Sequence, residues 1–262
     1  MSQITVPMRY YRFDTDGGLE LSEKNFRHVE GKWTFDTSEA ALILVDIWAE
    51  HPYTTHLARG AKITKEKTAP AVKACRKAGI TVVHAPCPLG APLYPQWTRY
   101  ASEKELFAGG GGPGETWPPE DFKNRKGKYE HMARPELSWR KKYTERKDAR
   151  RVMKVIEPQP EDFVIATGDQ LHRLCKHRKI VVLFYAGFAA NMCVPFRDYG
   201  IVAMHQRGYG IILLRDCTAA IEAHDTFDAG SLTKAAVLTV EMIFGQSSTS
   251  DALIAACREA RG

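Results

Sequence analysis

The sequence has no apolar stretch approaching the ~20 residues that a membrane span requires. Its opening, MSQITVPMRYYRFD, lacks the apolar core of a secretory signal. Six cysteines are present (Cys75, Cys87, Cys175, Cys193, Cys217 and Cys257), and no two of them have CxxC spacing. That spacing rules out the paired-cysteine zinc and redox motifs. The expectation is a reducing, cytoplasmic setting with unoxidised thiols and no membrane contact. There is no internal repeat, and no low-complexity tract beyond the GGGGPG run at 109–114. No nucleic-acid-binding motif accompanies the net charge of +6. Much of that charge lies in residues 121–154, which are read as a solvated, partly helical surface rather than a nucleic-acid site.

What is present is an ordinary globular composition, 44% hydrophobic and 26% charged over 262 residues. One domain over 1–262 is the simplest reading. Residues 1–38 read as an irregular arm, anchored by Trp33 and Phe35. The continuous apolar run AALILVDI, 40–47, reads as a central parallel strand covered on both faces. A helix over 61–78 follows, closed by Gly79, and then a strand over 80–84, which makes a βαβ unit. Residues 86–150 break this rhythm with prolines, the glycine run and interspersed aromatics. Such an insertion reads as a lid over a pocket, as an oligomer contact, or as both. The α/β alternation then resumes: a short strand over 163–166, a helix over 170–177, the strand KIVVLFY over 179–185, a helix over 192–207, a strand over 210–214 and a helix over 228–243. The alternation predicts an α/β fold, a three-layer sandwich around a doubly wound, mainly parallel sheet.

Sites in such sheets lie beyond the carboxyl ends of the strands. Asp46, Cys193 and Asp216 fall there. Asn191 is read as an N-cap, and Pro195 is tolerated only near a helix start, so Cys193 belongs in a first helical turn. There, unsatisfied amides and the helix dipole favour a thiolate and can bind an oxyanion. The competing reading is a buried structural cysteine. Asp46 follows a fully apolar run, where a carboxylate is costly unless it is used or satisfied.

The segments ALILVDIWAEHP, ITVVHAP, IVVLFYAGFAANMCV and ILLRDCTAAIEAHD resemble the isochorismatase-like hydrolase superfamily, over roughly residues 38–245 apart from the insertion. The resemblance implies a cysteine amidohydrolase cleaving a C–N bond of a small amide, ureido or carbamoyl compound. It implies Cys193 as nucleophile, Asp46 as acid–base partner, and an oxyanion hole from the amides of Ala189 and Cys193 after a cis Phe188–Ala189 peptide. Trp48, Phe188 and Asn191 are expected to contact the substrate, and His84 either lines the pocket with them or is satisfied in the core. A homo-oligomer, dimer or tetramer, is implied as well. The family's lysine, in a D-x-V-I-x-K pattern, is missing: Asp162-Phe163-Val164-Ile165-Ala166 leads to Thr167. Lys142 or Lys141 of the insertion are candidates to replace it, against a plainer reading as solvated surface charges. The Asp-x-His metal pair of the nicotinamidases, one branch of that superfamily, is absent too, so neither metal nor other cofactor is expected and nicotinamidase proper is disfavoured. Arg197 and Asp198 are read as a mutual ion pair. The rival readings are a non-catalytic binding protein on the same fold and a thiol redox sensor, the latter without an evident resolving cysteine.

Overall fold

The structure is a computed structural model; it describes residues 2–108, 118–146 and 148–260, apart from the side chains of Lys104, Phe107, Ala108 and Lys142. Strands β1 (Gln3–Arg12) and β2 (Arg27–Asp36) form an antiparallel hairpin. β3 (Ala40–Val45) is followed by α1 (Thr54–Ile63), a wide π-turn at Thr64–Thr68, α2 (Ala69–Ala78) and β4 (Thr81–Ala85). The insertion holds short helices α3 (Glu103–Ala108), α4 (Glu120–Lys123) and α5 (Arg140–Thr144). Next come β5 (Phe163–Val164), α6 (Gly168–Arg178), β6 (Val182–Phe188), α7 (Cys193–Phe196) and α8 (Ile201–Gln206). β7 (Gly210–Ala219), α9 (Ser231–Thr239), β8 (Gln246–Ser248) and α10 (Ser250–Glu259) close the chain.

The eight strands form one sheet in the order β2-β1-β8-β7-β6-β3-β4-β5. Every pairing from β8 to β5 is parallel, and β1 joins β8 antiparallel. β3 shows why the centre forms. Its six residues are all buried, and the strand's period of two sends them alternately to two cores. Leu42 and Leu44 pack with Val72 of α2 and Leu253 of α10. Ala41, Ile43 and Val45 pack with Leu171 of α6 and Met204 of α8. That is the expected three-layer α/β/α arrangement. Each fully buried aliphatic side chain contributes roughly 1.5–3 kcal/mol. Among the described residues, no helix is long and apolar enough to cross a membrane.

Three local readings are corrected. The N-terminal arm is not irregular over residues 3–12 and 27–36. Ile4, Val6 and Met8 alternate with exposed residues and face the core, so β1 and β2 extend the sheet. The strand read at 179–185 starts three residues later and runs three further. Lys179, with φ +59, caps α6 by donating to Cys175 and Lys176. The helix read over 192–207 is two short pieces, because Arg197 turns extended and Gly200 lies against the backbone of Pro195 and Val194, where a Cβ would meet Pro195 O at 2.7 Å. Gly79 caps α2 in the left-handed conformation, as expected. The GGGGPG run lies outside the described residues.

Candidate active site

β3 ends at Val45, and Asp46 follows in the left-handed region, φ +47, which an Asp tolerates better than a branched residue. Its amide donates to Ala85 O of the neighbouring strand at 3.0 Å. The carboxylate is thereby turned out of the sheet at the strand tip. β6 is paired to β3 up to Val45 and Gly187. Only glycine fits there: φ is +130, and a Cβ would meet Val45 O at 2.0 Å. This close approach places the turn after β6 directly beside Asp46. The Phe188–Ala189 peptide is cis, as the resemblance implied. Ala189 O then accepts the amides of Met192 (3.0 Å) and Val194 (3.2 Å), which wraps the chain tightly and presents Cys193 at the head of α7. Of the six cysteines, Cys193 alone is not buried.

Asp46 and Cys193 line one cavity of about 390 Å3. They interact: each appears among the causes of the other's shifted titration. Asp46 Oδ2 accepts two bonds from Arg197, from Nε at 3.1 Å and Nη2 at 2.8 Å. Oδ1 is buried and has no well-formed hydrogen bond among the described residues. Burial holds the Asp46 carboxyl above its ordinary value despite Arg197. Burial and the Asp46 charge push the Cys193 thiol up to about 12, opposed by Arg197 and by the Ala189 amide. This corrects the expectation that the helix end favours a resting thiolate. α7 is only one turn long, and the neighbouring carboxylate outweighs its dipole. Burial works against the charge of Arg197, but the Asp46 carboxylate overrides it and raises its pKa. A thiol, a carboxyl group and a guanidinium thus meet in the site, with burial and Arg197 acting on the carboxyl in opposite senses. Moving the thiol proton to Oδ1 leaves the net charge unchanged, so burial does not oppose that transfer.

Arg197 stands where sequence reasoning sought a lysine. Its spacing was the available signal: four residues beyond Cys193 is one helical turn, on the same side. The expected Arg197–Asp198 pair does not form. Asp198 Oδ2 accepts the amide of Gly168 at 2.7 Å, where the α6 end packs so closely that a Cβ on Gly168 would meet Asp198 O at 2.0 Å. Thr167, at the lysine position, caps α6 by accepting from Gln170 N. The side chain of Lys142 lies outside the described residues, and Lys141 is exposed.

Trp48, Phe188 and Ala189 line the cavity with Cys193. His84 does not, which corrects its assignment. It lies on the β4 face toward α2, wholly buried, with Nε2 3.1 Å from Asp162 Oδ2. Asn191 is corrected as well. It is not the helix cap, a place taken by Met192. Its side chain holds both backbone groups of Ile221, at 3.1 Å each, and so acts through a lining residue. The insertion, read as a lid or an oligomer contact, gives one wall of the cavity through Trp139, Arg140, Tyr143, Thr144 and Arg150, while His51 and His56 were not singled out as site residues. The insertion is tied down beside β3, since Ala49 donates to Arg151 O at 2.7 Å and Met153 to Ile47 O at 3.1 Å. Among the described residues, no group of three or more His, Cys, Asp or Glu side chains is arranged to hold a metal ion.

Residues 40–242 match the isochorismatase domain family. The chain belongs to the isochorismatase family, a family of hydrolases. No curated protein matches it in sequence. Its fold is shared with a cysteine hydrolase from Pseudomonas syringae pv. phaseolicola 1448A, at 17% identity and TM-score 0.55, over 87% of this chain and 96% of that one. An isochorismatase family protein from Desulfovibrio vulgaris subsp. vulgaris str. Hildenborough matches at 15% identity and TM-score 0.51, over 82% and 96%. At these identities the likeness bears on the fold alone.

Proposed function

We propose that this isochorismatase-family protein is a cysteine-dependent hydrolase of small amide, ureido or carbamoyl compounds, working through a thioester. The observation that supports it is the meeting of the Cys193 thiol and the unpaired Asp46 oxygen in one cavity, with Arg197 on the other oxygen. The carbonyl carbon of the substrate approaches Cys193 Sγ, and the thiol proton passes to Asp46 Oδ1 as the S–C bond forms. The carbonyl electron pair becomes an oxyanion, which the amides of Ala189 and Cys193 stabilise. Asp46 returns the proton to the leaving nitrogen, the C–N bond breaks, and ammonia or an amine departs. Water then adds to the thioester carbon, giving its proton to Asp46. Collapse expels the Cys193 sulfur, which regains that proton, and the acid is released. Arg197 keeps the Asp46 carboxylate available as a base in a buried site and fixes its orientation.

An ammonia-release screen over amides, ureas and carbamates tests the reading. The wild type turns over at least one compound, and Cys193→Ala and Asp46→Asn lose about 10^3-fold or more while remaining folded. Undiminished activity in Cys193→Ala overturns the assignment. No turnover of any compound favours the non-catalytic binding protein instead.

A further inference from the structure

The mechanism leaves two charges in the cavity lining unused, Arg140, which is exposed, and Arg150, which is half-buried. The Arg150 guanidinium lies 5.7 Å from the ring centroid of Trp48 and 5.4 Å from that of Tyr143, flanked by both aromatic faces. Among the described residues no carboxylate is within ion-pair distance of it. The acids nearby are engaged elsewhere, Asp46 by Arg197 at 2.8 Å and Glu50 by Arg146 at 2.7 Å. The two cavity histidines do not compete for an anion, because burial lowers both, His56 to about 4, and leaves them neutral near pH 7. With Asp46 balanced by Arg197, the cavity has an excess of positive charge, and Arg150 is the half-buried part of it, set against two aromatic rings, while Arg140 is exposed.

That charge is also held in place. The single Tyr143 hydroxyl proton is shared between Glu50 O at 3.2 Å and Ala149 O at 3.3 Å. On the other side, Val152 pairs with Trp48 in an isolated bridge, and Ala49 donates to Arg151 O. The backbone at Arg150 is therefore fixed on both flanks, and its side chain is confined by two rings. A guanidinium so placed offers its N–H edge to a planar anion, and the neighbouring rings offer flat surfaces to whatever carries that anion.

We propose that Arg150 is a carboxylate subsite, so that the substrates are flat, anionic amides or carbamoyl compounds with the scissile carbonyl at Cys193 and the carboxylate on Arg150. The scissile end of this assignment rests on the hydrolase reading; the anion subsite does not. The direct test is calorimetric binding to Cys193→Ala protein, with benzoate and benzamide as probes. Benzoate binds on the order of 10-fold or more tighter than benzamide, as expected for a charged hydrogen-bonded pair. The preference collapses toward unity in Cys193→Ala/Arg150→Gln and is partly restored by Arg150→Lys. It also weakens with added salt in the parent, a readout that needs no Arg150 variant to fold. Equal binding of the two probes, or a preference that survives Arg150→Gln, overturns the subsite.

A turnover arm separates the two claims. The monoamide of isophthalate is compared with its neutral methyl ester in the wild type. Turnover of both without preference for the acid rejects the subsite and leaves the hydrolase standing. A benzoate preference without turnover of any amide rejects the hydrolase and leaves the subsite standing.

Discussion

Two buried aspartates sit within one sheet, each joined to an arginine, and they differ in almost every other respect. Asp162, just before β5, is saturated: it accepts from Arg76 Nε at 3.0 Å and again from Arg76 Nη2, from the Gln159 amide at 2.9 Å, and lies 3.1 Å from His84 Nε2. Burial opposes its charge, but these donors outweigh burial and bring its carboxyl down to about 2. Asp46 has one arginine on one oxygen and no well-formed hydrogen bond on the other among the described residues, and it stays above its ordinary value. Desolvation is common to both. The count of donors decides the outcome: a saturated carboxylate is a fixed anion, whereas a half-satisfied one can accept a proton. The first therefore suits holding α2 to the β4–β5 edge, and the second suits chemistry.

Substitutions can break this contrast. The largest effect is expected at the half-satisfied pair, where Asp46→Asn costs about 10^3-fold in turnover with little loss of stability, since a neutral amide still accepts from Arg197. Equal loss of stability in both aspartate variants would erase the distinction. At the saturated site the expectation reverses. Asp162→Ala strands Arg76 and His84 in the core and costs about 3–5 kcal/mol, read as a lower urea midpoint. A depressed carboxylate contributes stability above its ordinary value of 3.8 and loses it as the pH falls through about 2, so the penalty should be full at neutral pH. A smaller effect sharpens the comparison. Arg197 lowers both Asp46 and Cys193, so Arg197→Gln should move the acid limb of kcat/KM upward by about one pH unit or more. An unmoved limb would mean that Arg197 does not tune the base.

The centre of this architecture was readable from residue order because burial on both faces leaves an unbroken apolar run, as in Ala40–Val45. The hairpin at the other end was not. Pro7 interrupts the alternation of Ile4, Val6 and Met8, and prolines argue against strands. Pro7 is tolerated because its backbone faces β8, where its carbonyl accepts from Ser248 Oγ at 2.6 Å and where β1 is paired only at Arg9–Ser247, so little of the ladder needs the missing N–H. Asp46 and Cys193 were legible from their places at a strand tip and a helix head. Arg197 was misassigned because a neighbour in sequence looked like its partner, and the Gly168 contact that removes Asp198 is long-range. Tyr143 could be assigned only to a lid-like insertion and Arg150 only to a basic surface run: both reach the cavity through a segment without periodicity, fixed by backbone bonds that no pattern announces.

The central claim, that Cys193 and Asp46 form one proton-exchanging pair, can be tested without knowing the substrate. Thiolate absorbance is titrated in the wild type and in Asp46→Asn, each corrected by its Cys193→Ser counterpart. The account predicts no Cys193 thiolate in the wild type up to the ordinary thiol value of 9.0, because burial and the Asp46 charge suppress it, and a titration at lower pH once that charge is removed. Superimposable curves, or a thiolate already present at neutral pH in the wild type, would contradict it.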